Sequence, residues 1–201
     1  MPAIKEPPSI YQLQITLIGV APPIWRRIHV PCTIRLCCLH DALQAVLGWT
    51  DSHLHQFEKD GKCWGAPEFD EPGELDLIDE SRVPIKKLLK AGGDSLVYVY
   101  DFGDNWRHVV LLEKILPAGA GDRRPVCVGG ERQCPPEDVG GVSGYQRFLE
   151  AIFDPSHEEY EHYVSWAGGP FHAEKFDPKA VNEVLSRMRW PIRHRRRRRL
   201  P

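Results

Sequence analysis

Five side chains, His53, His55, Asp101, Asp104 and His108, have the types and spacing to hold a divalent metal ion. His53 and His55 sit two apart, which on a strand puts both imidazoles on one face. Asp101, Asp104 and His108 bracket the turn of Tyr98-Val99-Tyr100-Asp101-Phe102-Gly103-Asp104-Asn105-Trp106-Arg107-His108, where alternating apolar segments flank Gly103-Asp104-Asn105. A β-hairpin with that turn at its tip predicts that these three side chains converge. Histidine mixed with carboxylate suits zinc, manganese or iron, and an open position on the ion would activate water to hydrolyse a phosphoester or amide. The spacing matches no established ligand signature. A structural reading competes: Asp101 and Asp104 bond the turn backbone, while His53 and His108 pack on Trp49 and Trp106.

Two further sets carry weaker signals. Cys127 and Cys134 could join His157 as zinc ligands, but six residues between the cysteines exceed the close spacing of a finger and no second pair follows. A stiff Pro135-Pro136 loop accounts for the same residues. Trp106 with Arg26, Arg27 and Arg107 could stack on bases or grip a protein partner, against which stands a core role for Trp25, Trp49, Trp106 and Trp166. His157 and His162 lie five apart, not the four that place both histidines of a metalloprotease helix on one face. Asp101-Phe102-Gly103 lacks the catalytic loop that accompanies it in kinases, and Gly-x-Ser-x-Gly is absent.

The strands and helices that carry these side chains are readable from periodicity. Ile10 to Ile18 alternates as a strand, Pro22-Pro23 turns the chain, and Ile24 to Val30 returns, giving an opening hairpin. Leu36, Leu39, Leu43, Val46 and Leu47 recur at helical spacing until Gly48. Asp51 to Phe57 reads as a third strand, residues 66 to 83 are acidic and aperiodic, and Ile85 to Lys90 reads as a short helix before the second hairpin. The order β-β-α-β-α-β-β makes the fold α+β. A long Pro/Gly loop is expected over residues 117 to 142, then a helical part. Its helices open at Ser143 and at Ser156, each with a capping-box partner, and at Asp177-Pro178.

With 201 residues, 42% of them hydrophobic, the chain can build one sizeable core. We expect a domain over residues 10–190 and a disordered Arg-rich tail over 191–201. No apolar run approaches the roughly 20 residues of a bilayer span, and the first residues lack a signal-peptide core. A cytoplasmic protein with six reduced thiols and no membrane partner is therefore expected. The net charge of −2 hides an asymmetry. Six of the 26 basic residues fall within Arg193–Arg199, which leaves 20 basic against 28 acidic side chains elsewhere, a net of −8. Such a tail can bind nucleic acid by counterion release; the acidic body argues against a broad DNA-binding face and leaves a protein partner open.

Several strings together resemble a known family: Ile24-Trp25-Arg26-Arg27, Gly48 through Phe57, Tyr100 through His108, Cys134 through Gly141 leading to Gly144-Tyr145, Pro155 through Tyr160, and Phe176-Asp177-Pro178. Their order and spacing resemble the plasmid pRiA4b ORF-3-like family, also found as passenger proteins of insertion elements. The resemblance implies an α+β fold and an association with plasmids and mobile elements, with no established activity; we expect an accessory or interaction protein. The expected alternative is a metal-dependent hydrolase using the five hairpin-tip residues.

Overall fold

Alternation of apolar and polar side chains builds a sheet with one face against a core, and in the computed structural model this sheet organises the chain. The structure describes residues 9–67, 77–119 and 124–190. In chain order the elements are β1 (Ser9–Leu17), β2 (Trp25–Pro31), α1 (Leu36–Leu47), β3 (His55–Lys59), β4 (Lys62–Gly65), β5 (Ile78–Asp79), β6 (Ser95–Tyr100), β7 (Trp106–Pro117), β8 (Val126–Glu131), α2 (Gly141–Phe153), α3 (Tyr160–Trp166) and α4 (Pro178–Arg187). The fold is α+β. Among the described residues, eight strands form one mixed sheet in the order β5-β4-β3-β6-β7-β1-β2-β8, antiparallel except for β4 against β5.

Both predicted hairpins form. In the first, Thr16 faces Trp25 and Ile10 faces Pro31; in the second, Tyr98 faces His108 and Tyr100 faces Trp106. Cross-strand pairing sets Tyr98, Tyr100, Trp106, His108, Val110 and Leu112 side by side, all buried. They meet Leu13 and Ile15 of β1, Ile28 of β2, and Leu36, Leu39 and Leu43 of α1 in one hydrophobic cluster, to which α2 adds Tyr145 and Phe148.

Four expectations need correction. The third strand runs over His55–Lys59 and not Asp51–Phe57, so His53 precedes it and shares no strand face with His55. The anticipated loop of residues 117 to 142 contains β8, which pairs with β2 at the edge of the sheet. The helix expected over Ile85–Lys90 is a single 3-10 turn at Ile85–Lys87. Neither capping box forms: α2 starts after Gly140 without a side-chain cap, and the Ser156 hydroxyl donates to Asp154 (2.6 Å). Asp177 does cap α4, accepting from the backbone N–H of Lys179 and Ala180. The Arg-rich tail of 191–201 lies outside the described residues.

Candidate metal centre

Three segments meet at one end of the sheet: residues 48–54 after α1, the hairpin turn 101–105, and residues 134–140 before α2. Trp49 fixes the first to the third, its indole N–H donating to the Pro135 carbonyl (2.9 Å) and its ring stacking on Tyr100 at 4.9 Å. The Tyr100 hydroxyl accepts from Ser52 N (2.9 Å) and donates to Glu137 Oε1 (2.5 Å). Glu137 Oε2 in turn accepts from Thr50 N (3.1 Å). Burial and this bond to Glu137 raise the Tyr100 pKa, so the phenol stays protonated and keeps donating. Asp104 Oδ2 accepts from Gly140 N (3.1 Å), and a Cβ on Gly141 would come within 2.6 Å of the Asp104 carbonyl, so only glycine lets the turn approach α2 this closely.

Within this junction His53, Asp101 and Asp138 present one ligand atom each, all within 4.8 Å of one another. Asp101 divides its labour: Oδ1 accepts from Gly103 N (2.9 Å) and Asp104 N (3.2 Å), and Oδ2 faces His53 Nε2 at 3.7 Å. Asp138 Oδ1 approaches the same nitrogen to 3.1 Å. The approach lies outside hydrogen-bond geometry, so His53 Nε2 is shielded from solvent yet has no hydrogen-bond partner in the protein. Its ring rests edge-on against Tyr100 (centroids 5.8 Å apart). Asp101 (φ 57°) and Asp138 (φ 61°) are both left-handed, a conformation that aspartate tolerates better than most residues and that functional sites often retain.

A second group lies under α1. His40 and His55 stack with centroids 3.4 Å apart and planes 5° from parallel. His40 Nε2 bonds Asp51 Oδ1 (2.8 Å) and its Nδ1 bonds the Tyr98 hydroxyl (2.8 Å), which also accepts from Gln44 Nε2 (3.0 Å). His55 Nε2 bonds Glu80 Oε2 at 3.0 Å. Burial first, and the adjacent His55 second, push the His40 pKa down to about 4, overriding the opposite pull of Asp51.

The family model described as "Plasmid pRiA4b ORF-3-like protein" matches residues 9–180. The chain belongs to this family. It is 41% identical over 175 residues to the uncharacterized protein y4hQ of Sinorhizobium fredii, covering 87% of each chain. It also matches the crystal structure of MM3350, a protein of unknown function from Methanosarcina mazei Go1, with 43% identity and a TM-score of 0.77, over 87% of this chain and 97% of that one.

In this pRiA4b ORF-3-like chain, the five residues singled out for a hairpin-tip metal site do not gather at one point. His53 and Asp101 meet; His55 joins His40 and Glu80 instead, and Asp104 holds Gly140. His108 is fully buried against Trp49 (5.4 Å) and Tyr98 (5.7 Å). Neither ring nitrogen has a hydrogen-bond partner, and burial lowers its pKa to about 4 against the weaker raising pull of the Tyr98 and Trp106 backbone. The cysteine set also separates. Cys134 accepts from buried Arg26 (3.2 Å), Cys127 donates to the Gly129 carbonyl (3.5 Å), and His157 Nδ1 accepts from Glu159 N (3.1 Å). Among the described residues, no ligand group within 4.8 Å contains a cysteine.

The aromatic and basic set is occupied internally. Trp106 is core because its strand alternates inward, and Arg26 is buried with its guanidinium donating to the carbonyls of Val46, Trp25 and Glu131. Arg27 pairs with Glu113 (2.6 and 2.7 Å) and Arg107 with Glu58 (2.5 Å). Sequence reasoning missed Asp138, Asp51, His40 and Glu80. A signal existed for His40: with Gln44 it forms an i, i+4 polar pair among the leucines of an apolar helix.

Proposed function

We propose that the protein is an accessory protein of plasmids and mobile elements that works through a divalent cation held at the hairpin tip by His53, Asp101 and Asp138. The observation that carries this reading is the orphaned His53 Nε2, screened from water and facing two carboxylate oxygens. A buried polar nitrogen left unpaired costs about 1–3 kcal/mol, and an ion between the three donors removes that cost while offsetting the carboxylate charge. One imidazole and two carboxylates suit zinc, manganese or ferrous iron. The Asp138 side chain is 69% exposed, so the site faces solvent and leaves room for water or a substrate oxygen. The chemistry such an ion supplies is Lewis-acid activation of water towards a phosphoester or amide. His55, Asp104 and His108 stand outside the proposed ligand set, Asp104 securing the turn. The family's plasmid setting supports a protein or nucleic-acid partner for this chemistry.

Metal analysis of tag-free protein by native mass spectrometry tests the reading. Wild type offered zinc, manganese or ferrous iron should bind at the hairpin tip, and His53→Ala and Asp138→Asn should each carry one ion fewer than wild type while their melting temperatures stay within a few degrees. Wild type that takes up none of the three, or variants that keep the full complement, would overturn it.

A further inference from the structure

We propose that His40, His55 and Asp51 form a second cation site, a transition-metal centre of the two-histidine, one-carboxylate type, distinct from the hairpin tip. The three residues come from α1, β3 and the segment between them. One ligand atom from each lies within 4.8 Å of the other two, and the two rings, stacked 3.4 Å apart and nearly parallel, must tilt for both in-plane lone pairs to meet one ion. The surrounding bonds favour this use of the imidazoles. Glu80, itself buried, occupies His55 Nε2 at 3.0 Å and leaves Nδ1 as the lone-pair donor. Tyr98, fixed in turn by Gln44, occupies His40 Nδ1 and leaves Nε2 directed at Asp51. Histidines that bind metals characteristically commit their other ring nitrogen to a carboxylate, carbonyl or similar partner, which sets the tautomer and ring plane. Here both rings have such a partner. With an ion on Nε2, the single proton of the neutral His40 ring resides on Nδ1 and donates to the Tyr98 oxygen, a change of tautomer with no net loss of a proton.

Charge points the same way. Among the described residues, the ion-pair partners of Asp51 and Glu80 are these two histidines, not a lysine or arginine. Two carboxylates with no lysine or arginine paired to them are left for a cation to balance. Asp51 is also the way in, since its side chain is 57% exposed while His40 is only 4% exposed. Its backbone, at φ 59° with its N–H held by Gln44 Oε1 (3.0 Å), points the carboxylate back at the ring. Two imidazoles and a carboxylate with remaining positions open match the donor set of zinc and of non-haem ferrous iron.

Cobalt(II) titration of the metal-stripped full chain tests this, read by visible ligand-field absorption and by native mass. The inference stands independently of the hairpin-tip reading, and His53→Ala separates the two. That variant should still bind one cobalt ion, whereas Asp51→Asn, which tolerates the same backbone and can still accept from His40, should weaken that ion at least tenfold. His55→Gln, checked for folding by near-ultraviolet circular dichroism, should do the same. If His53→Ala binds no cobalt, or Asp51→Asn in the His53→Ala background binds it as tightly as His53→Ala alone, the second site is wrong. If wild type binds a single ion that His53→Ala leaves in place, the second site stands and the hairpin-tip reading fails.

Discussion

His108 shows how one buried residue ties stability to pH. Burial holds its folded pKa at about 4, against 6.5 when exposed. Above pH 6.5 the ring is neutral in both folded and unfolded chains. As pH falls from there towards 4, the unfolded chain takes up the proton and the folded one does not, so stability is lost, by up to roughly 3 kcal/mol at 1.36 kcal/mol per unit. Urea midpoints at pH 7 and pH 4.5 for wild type and His108→Leu measure this: wild type should lose more stability on acidification than the variant. The same residue marks the limit of the sequence. Its spacing from Asp101 and Asp104 suggested a ligand, but inward or outward direction on a strand depends on which neighbour shares the face, and Tyr98 lies directly across. Asp101 was legible because the turn chemistry around Gly103 is local. Asp138 was not, since only the packing of Trp49 on Pro135 brings its loop to His53.

At the level of elements, the strands and helices with strong periodicity were readable and β8 was not. Its Cys127-Val128-Gly129-Gly130 core has little strand propensity. The glycine that weakens the signal is what the packing requires: a Cβ on Gly130 would meet the Trp25 carbonyl at 2.8 Å and the Phe176 ring at 2.5 Å. The outer edge of β8 would be open to pairing with another chain, but Asn182 of α4 covers it, its amide oxygen accepting from Cys127 N and its amide nitrogen donating to the Cys127 carbonyl, both at 2.8 Å. Asn182→Ala should cost about 1–3 kcal/mol through these unpaired backbone groups. It should also give a concentration-dependent dimer by size-exclusion chromatography with light scattering. A monomer of unchanged stability would show that the cover is dispensable.

For the whole molecule, charge separates into an acidic body and six arginines within residues 193–199. We expect those arginines to supply any affinity for nucleic acid, with log K falling by up to about 0.9 per neutralised phosphate for each log unit of salt. Deleting residues 193–201 should abolish binding to a duplex in fluorescence anisotropy and flatten the salt slope; binding that survives would assign the contact to the body. The α+β class was legible as a whole because it rests on repeated local patterns. The sheet order was not, since it places β1 between β2 and β7 through pairs remote in sequence.

That placement has a consequence for how the protein is born. Ser9 pairs with Pro117 and Leu17 with His108, so the strand made first waits for one made about a hundred residues later. At roughly 5–20 residues per second, the ribosome leaves one side of β1 without its neighbour for several seconds. Such non-local pairing slows folding, and during the delay the nascent chain exposes Leu13, Ile15 and Leu17 to any chaperone within reach. A host short of that help would lose part of this protein to aggregation, which ties its useful yield to the cell that makes it.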